Sequence, residues 1–363
     1  MKLGVVGLPN VGKSTLFNAI TQAGAECANY PFCTIEANVG VVAVPDYRLD
    51  RLASLYDSKK VTPAVIKFVD IAGLVKGASK GEGLGNKFLS HIREVDAIVH
   101  VVRCFIDSNV AHVNEKVDPA NDMETINLEL IFADIDTVMA RLDKARNMIK
   151  TGEKKYYQQV KVCESIMSHL EQGQPVRTMT IDKDDREFVD SMWLLTAKPM
   201  MYVANISEDM LGKSESSLVK AVRIQAQKEN TQYIVLCAKV EEELTHLNAE
   251  EKTFFCESYG ITRSGLDLLV EKGYALLGLI SYLTAGEKET RAWTILQGTR
   301  APQAAGKIHT DFEKGFIRAE VVPYETLMEY RGYNNAKEQG KVRSEGKDYV
   351  IKDGDVVLFR FNV

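Results

Sequence analysis

The sequence lacks the patterns by which membrane-spanning, secreted and zinc-binding chains are recognised. No apolar run reaches the roughly 18 residues that a membrane helix needs. The first residues do not resemble a signal peptide, since Asn10, Gly12 and Lys13 interrupt their short apolar stretch. The six cysteines include no CxxC pair and no cysteine–histidine cluster with zinc spacing. We therefore expect a cytoplasmic protein with free thiols and no membrane partner.

An excess of positive charge is also missing. The 363 residues carry a net charge of −5, which argues against a chain that coats nucleic acid along its whole length, and we expect no DNA specificity. Apolar residues make up 45% and charged residues 26%, as in ordinary globular proteins. A chain of this length exceeds what one compact core usually holds, so we expect two or three domains.

Continuous apolar runs, rather than alternating ones, predict strands that are buried on both faces of an open sheet. The segments 14–21 and 86–95 lie between such runs and have helical spacing. This alternation is typical of a doubly wound α/β domain. Six runs carry the prediction: Leu3–Val6, Val39–Val44, Val65–Val69, Ala97–Val102, Met200–Val203 and Tyr233–Leu236.

The pattern becomes helical between the fourth and fifth predicted strands. Apolar residues recur every three or four positions, pause at the polar turn Thr151–Lys154, and resume. Two such seams predict an antiparallel hairpin close to a coiled coil, with a third helix near Asp184. The C-terminal sequence favours a small mixed β domain with little helix apart from Tyr324–Tyr330. We therefore assign residues 1–118 and 199–277 to the α/β domain, 119–198 to an inserted helical domain and 278–363 to the β domain.

Residues 7–15 read Gly-Leu-Pro-Asn-Val-Gly-Lys-Ser-Thr, which matches the P-loop motif G-x-x-x-x-G-K-[ST] between a strand and a helix. Glycines let the backbone curl so that successive N–H groups face phosphates, and the helix N-terminus adds positive potential. We expect Lys13 to contact the β- and γ-phosphates and Ser14 to offer its hydroxyl to Mg²⁺. The predicted nucleotide-binding residues here are Asn10, Val11, Gly12, Lys13, Ser14 and Thr15.

Three further positions complete the predicted phosphate site. Asp70 ends a strand, where a carboxylate holds Mg²⁺ through water, and Gly73 follows it with an N–H for the γ-phosphate. Thr34 lies in the loop before the second strand and is predicted to close over the nucleotide as a metal ligand. The glycine-rich segment 77–85 predicts a loop that the γ-phosphate orders.

The segment after the fifth predicted strand bears on the choice of base. GTPases place N-K-x-D there, and its Asp takes two hydrogen bonds from guanine, whereas this chain reads Asn205-Ile206-Ser207-Glu208. Because Glu is one methylene longer than Asp, we expect a preference for ATP, with a site that tolerates both nucleotides as the alternative. The loop Cys237-Ala238-Lys239 is predicted to wall the base.

The group that orients the attacking water is less evident. Leu74 stands where Ras-type enzymes carry a water-orienting Gln, and its side chain has no hydrogen-bonding group. Hydrolysis is therefore predicted to be slow, or another residue takes this role. Our candidate is His112, on the loop after the fourth strand, which acts beside Lys13 and Gly73 as the third catalytic residue.

These motifs closely resemble those of the YchF/Obg-like ATPase family, and the likeness covers the whole chain. It rests on the segments 7–15, 29–34, 70–85 and 205–208. It implies ATP as the main nucleotide, read through Asn205, Glu208 and the backbone near Ile206, and a C-terminal TGS domain of β-grasp fold. It also implies a cytoplasmic ribosome partner, for which we expect the large subunit and its RNA. The family has a His at the position of His112, and Asn10 fits relatives in which this residue binds K⁺.

Basic residues follow the predicted hairpin, where they form either a solvated helix face or a contact with RNA phosphates. We hypothesise a slow ATPase whose γ-phosphate state sets loop and domain positions that a ribosome reads, in translation or stress response. The alternatives are a nucleotide-gated binding protein whose hydrolysis is incidental and a dual ATP/GTP hydrolase. The basic residues are Arg141, Lys144, Arg146, Lys150, Lys154, Lys155 and Lys161.

Overall fold

The computed structural model describes residues 1–24, 38–71, 84–107 and 116–362. They form two compact units, of which the second contains residues 41–66 and 270–362 and the first contains the rest. Among the described residues, no helix is both long and apolar enough to cross a bilayer. The division of the chain into four segments stays a prediction.

The elements follow one another in an α/β order that changes after the seventh strand. The strands are β1 (Lys2–Val6), β2 (Val39–Ala43), β3 (Val61–Thr62), β4 (Val65–Asp70), β5 (Ala97–Arg103), β6 (Met200–Asn205), β7 (Tyr233–Leu236), β8 (Leu279–Thr284), β9 (Thr290–Leu296), β10 (Phe316–Pro323), β11 (Arg343–Glu345) and β12 (Asp355–Phe361). The helices are α1 (Lys13–Ala23), α2 (Tyr47–Tyr56), α3 (Leu84–Arg93), α4 (Pro119–Met148), α5 (Lys154–Glu171), α6 (Lys183–Asp190), α7 (Ser217–Lys228), α8 (Ala238–Leu244), α9 (Ala249–Ser258), α10 (Gly265–Leu276), α11 (Ala301–Ile308), α12 (Thr310–Lys314), α13 (Tyr324–Glu329) and α14 (Tyr333–Glu338).

The first sheet has the strand order β2-β4-β1-β5-β6-β7, and all six predicted runs lie in it, within two residues of the observed bounds. Neighbours from β4 to β7 pair in parallel, so their carboxyl ends meet at one edge. Strands β5 and β6 are buried throughout, as continuous apolar runs predict, whereas β2 and β4 alternate buried and half-buried residues.

The predicted helical hairpin is confirmed as α4 and α5. Asp118 caps α4 by accepting a hydrogen bond from the Asn121 N–H, and Pro119 occupies the first turn, where its missing N–H costs nothing. The apolar seams of both helices share one core with α6, which begins one residue before the predicted start. The seam residues fully buried in this core are Ile131, Val138, Leu142, Cys163 and Leu170.

A buried polar network ties the hairpin to the sheet of the first unit. The Glu229 carboxylate accepts hydrogen bonds from Arg177 Nε at 2.9 Å, Tyr202 Oη at 2.9 Å and Gln225 Nε2 at 2.6 Å. Asn127 of α4 joins it, since its Nδ2 donates to Glu229 Oε1 at 3.1 Å and its Oδ1 accepts from Arg177 at 2.7 Å. Removal of one charge would leave the other buried without a counter-charge.

The second unit is built on a mixed sheet with the strand order β11-β10-β12-β8-β9-β3. The helix expected at Tyr324–Tyr330 is confirmed as α13, but the expectation of little other helix is wrong, because α11, α12 and α14 also lie in this unit. Helix α11 buries Ala301, Ala304 and Ala305, and alanine gives only a weak apolar signal in a sequence. Helices α12 and α14 have five and six residues, too few to display a helical period.

The network around Glu229 generates a prediction for stability. We expect Glu229→Gln to lower the free energy of unfolding by about 3 kcal/mol or more, because Arg177 then stays buried without a counter-charge. The matched control is Glu164→Gln, which breaks an exposed ion pair with Arg146 and should cost about 0.5 kcal/mol or less. Urea denaturation of both variants measures the difference, and equal losses would contradict the account.

Candidate nucleotide site

The P-loop connects the carboxyl end of β1 to the first turn of α1. Gly12 has φ +88°, a left-handed conformation that side chains rarely adopt. A Cβ at Gly12 would lie 2.2 Å from Nδ2 of Asn205, and one at Gly7 would lie 2.8 Å from the Val101 carbonyl oxygen. Both glycines are therefore required by close packing, and the loop curls tightly over the sheet edge.

The first turn of α1 has backbone N–H groups to offer an anion. Among the described residues, no side chain caps this turn, and none in it is acidic. Ser14 is exposed there, and Thr15 is half-buried. Uncapped N–H groups and the helix dipole together make a phosphate-binding end of a helix.

Lys13 and Asp70 form an ion pair at the carboxyl edge of the sheet. The parallel pairing places Val5 of β1 opposite Asp70 of β4, which brings the end of β4 next to the strand that leads into the P-loop. The Lys13 and Asp70 side chains are 11% and 24% exposed. The Asp70 carboxylate thus binds the Lys13 ammonium where the P-loop leads into α1. Ser14 offers a hydroxyl oxygen at the next position of the same loop. Oxygen donors of this kind fit Mg²⁺.

Asn205 joins the P-loop to the loop after β7. Its Nδ2 donates to the Val11 carbonyl oxygen at 2.9 Å, and its Oδ1 accepts the Ala238 N–H at 2.9 Å. The side chain is buried, so both hydrogen bonds are shielded from water. Sequence reasoning placed Asn205 at the nucleotide base, and the structure gives it this second contact with the phosphate loop.

A cavity of about 710 Å³ lies beside this connection, a volume typical of a small-molecule site. Gly12 and Thr15 line it from the P-loop, and the predicted base-binding residues line it from the loop after β6. The Ile206 N–H is already used, since it donates to the Leu236 carbonyl oxygen at 2.9 Å. The remaining lining includes Asn205, Ile206, Ser207, Glu208, Asp209, Cys237, Ala238, Lys239 and Glu242, so the loop predicted to wall the base lines this cavity.

Sequence reasoning missed five lining residues, namely Phe105, Asp107, Asp209, Glu242 and Tyr259. Phe105 is held by buried Arg103, whose Nε donates to the Phe105 carbonyl oxygen at 3.2 Å and whose guanidinium lies 4.6 Å from the ring centre. Phe105 and Asp107 lie just after the carboxyl end of β5. Because ligands bind at the carboxyl ends of parallel strands, their position in the sequence could have indicated a place in the site. Tyr259 follows α9 and has no such signal.

Several predicted residues lie outside the described part of the chain. They are Thr34, Gly73, Leu74, His112 and the segment 77–83.

Comparison with known proteins relates the whole chain to one family. A family model described as a 50S ribosome-binding GTPase matches residues 2–140, and the YchF-GTPase_C model, described as a protein of unknown function, matches residues 279–362. The "Ribosome-binding ATPase YchF" of Bacillus subtilis is 55% identical over 361 residues, 99% of each chain. The protein of that name in Escherichia coli O157:H7 is 51% identical over 362 residues, 100% of this chain and 99% of the relative.

A solved structure gives the same relationship. The Schizosaccharomyces pombe YchF GTPase superposes with a TM-score of 0.90 at 39% sequence identity, covering 99% of this chain and 97% of the other. The predicted fold class, a P-loop α/β domain with a helical insertion and a β-grasp-like C-terminal domain, is therefore confirmed.

The packing at Gly12 generates a prediction for binding. Gly12→Ala should abolish measurable nucleotide affinity, because the new Cβ collides with an Asn205 amide that two hydrogen bonds hold in place. Gly173→Ala is the matched control, since Gly173 also has a left-handed φ, of +72°, but faces open space. It should cost about 1–2 kcal/mol of stability and leave affinity unchanged. Calorimetric titration after a check of folding distinguishes them, and normal affinity in Gly12→Ala would contradict the assignment.

Proposed function

Because the chain belongs to the YchF family, with relatives more than half identical along its full length, we propose that it is a ribosome-associated ATPase. One arrangement carries the proposal: Gly12 belongs both to the P-loop and to the lining of the cavity that Glu208 borders. A triphosphate on the P-loop would therefore direct its base into that cavity.

The choice of ATP rests on the segment Asn205–Glu208. The names of the relatives differ, since the bacterial ones are called ATPases and the yeast one a GTPase. The Asp that grips guanine in GTPases is replaced by Glu208, whose carboxylate is partly occupied by protein donors. We propose that Asn205, Ile206 and Glu208 form the base site, with adenine preferred.

The reaction is attack of water on the γ-phosphate. P-loop NTPases act on the magnesium complex of their nucleotide, and the metal neutralises charge on the β- and γ-phosphates when bound. We assign Ser14, Thr34 and Asp70 to its ligand shell and Asn10 to an additional K⁺. Lys13 then leaves Asp70 for the phosphates, where it offsets developing negative charge.

Two groups complete the proposed catalytic set. The Gly73 N–H would donate to a γ-phosphate oxygen, and His112 would orient the attacking water, because Leu74 has no polar atom for that role. The P-loop backbone at Val11, Gly12 and Thr15 fixes the triphosphate chain. Turnover should be slow without a partner that improves the position of the water.

We propose that the helical hairpin contacts ribosomal RNA of the large subunit, which places the protein in the cytoplasm. Lys150 and Lys154 are exposed at the tip where α4 gives way to α5. Lys155 pairs with Glu153, and Arg146 with Glu164, but these pairs are exposed and weak, so phosphates can replace the carboxylates. Regulation of translation or of a stress response follows if the nucleotide state governs this contact.

Hydrolysis tests the enzymatic part of the proposal. Lys13→Ala should lower ATP turnover by about 100-fold or more, because the positive charge of Lys13 no longer offsets the negative charge that develops on the transferred phosphoryl group. Lys228→Ala, a change of the same type at an exposed position on α7, should leave turnover intact. Phosphate release under single-turnover conditions measures both, and full activity in Lys13→Ala would refute the assignment.

Charge reversal tests the ribosome contact. Changing Lys150, Lys154 and Lys155 to Glu should weaken co-sedimentation with large subunits and reduce the slope of log affinity against log salt by about 2–3. The matched control reverses three exposed lysines elsewhere in the first unit, Lys213, Lys220 and Lys228. Equal binding by both triple variants would remove the hairpin from the proposal.

A further inference from the structure

Tyr259 lies at the border of the base cavity and touches the residue assigned to base selection. Its hydroxyl donates a hydrogen bond to Oε1 of Glu208 at 2.6 Å. Nζ of Lys239 lies 3.6 Å from the other carboxylate oxygen, Oε2. The Glu208 side chain is 40% exposed, so without these contacts its rotamers would interchange freely. Tyr259 therefore fixes the direction in which the carboxylate faces the cavity.

Three contacts fix the position of Tyr259, one at its ring and two at its backbone. It stacks on Phe255 with ring centres 4.7 Å apart. Its backbone N–H donates a hydrogen bond to the Phe255 carbonyl oxygen at 3.2 Å, where α9 ends. The loop that carries Glu208 packs against it, because a Cβ at Gly212 would lie 2.1 Å from the Tyr259 carbonyl oxygen. The hydroxyl is thus a preorganised donor.

Guanine and adenine offer different hydrogen-bond donors, so the contact between Tyr259 and Glu208 affects the choice between them. Guanine offers a carboxylate two neighbouring N–H donors, from its ring N1 and its exocyclic amine, and both oxygens must face it. Adenine offers one exocyclic amine, for which one oxygen suffices. A carboxylate with Tyr259 on one oxygen and Lys239 near the other is poorly arranged for the paired contact. It still has free lone pairs, which a single donor can use.

We propose that Tyr259 is a specificity-determining residue, which locks Glu208 in a single-acceptor orientation that favours adenine over guanine. It is a positioning residue, since it acts through Glu208. The hydrogen bond to Glu208 raises the pKa of the Tyr259 hydroxyl, so the group keeps its proton and remains a donor at neutral pH. The proposal rests on the proposed ATP site and names the selection device within it.

The test compares nucleotide affinities rather than activity. Tyr259→Phe retains the stacked ring and removes only the donor. The ratio of the Kd for GTP to the Kd for ATP should fall about tenfold, the effect of one hydrogen bond to a charged group. Inosine triphosphate, which lacks the exocyclic amine of guanine, should gain less affinity than GTP. The matched control is Tyr157→Phe, at a residue that is 52% exposed on α5, and its ratio should equal that of the wild type.

A double-variant cycle separates this role from a structural one. In a Glu208→Ala background, Tyr259→Phe should leave the ratio unchanged, because the locked carboxylate is gone. A ratio that stays at the wild-type value in Tyr259→Phe, or that changes equally in the Glu208→Ala background, would overturn the proposal. Failure of the proposed function is distinguishable, since wild-type protein would then bind neither nucleotide.

Discussion

The first unit depends on the close approach of the Gly12 backbone to the amide of Asn205. The amide occupies the space that a side chain at position 12 would need, and it bonds both the P-loop and the loop after β7. The phosphate-binding loop and the wall of the base cavity are therefore parts of one rigid arrangement. A movement of either loop would leave buried hydrogen-bonding groups of the amide unsatisfied, which is costly.

Strand β6 contacts both the base cavity and the helical hairpin. Tyr202 and Asn205 belong to the same buried strand, and Tyr202 donates to the Glu229 carboxylate in the network that also holds Asn127 of α4. Strand β6 thus makes buried polar contacts both at the base cavity and at the root of the hairpin. This placement is suited to a protein in which nucleotide binding at one place affects contacts at another.

Much of this arrangement could be predicted because it is written in local patterns. Continuous apolar runs predicted the strands of the first sheet, and a seam of three- and four-residue steps predicted α4 and α5. Helices α11, α12 and α14 of the second unit were not predicted, since α11 buries alanines and the other two are shorter than two turns. Helices that bury only small residues, or that are shorter than two turns, give too weak an apolar periodicity to be predicted from sequence.

The cavity was predictable only in part, because its walls come from distant parts of the chain. The motif at Asn205 predicts a base site. Nothing in it indicates that the Asn205 amide donates a hydrogen bond to the carbonyl oxygen of Val11, 194 positions away. Tyr259 lies 51 positions from Glu208, and no spacing rule connects them. Only the folded chain brings these groups together, so residues that position a binding group are harder to predict than the group itself.

The central claim is that Lys13 and Asp70 bind a magnesium triphosphate, Lys13 through its phosphates and Asp70 through the metal. A crystal structure with Mg²⁺ and a non-hydrolysable ATP analogue tests it most directly. The account predicts that the Lys13–Asp70 ion pair is broken, that the Lys13 ammonium contacts the phosphates, and that adenine lies beside Glu208. An intact ion pair with the nucleotide bound elsewhere would contradict the account.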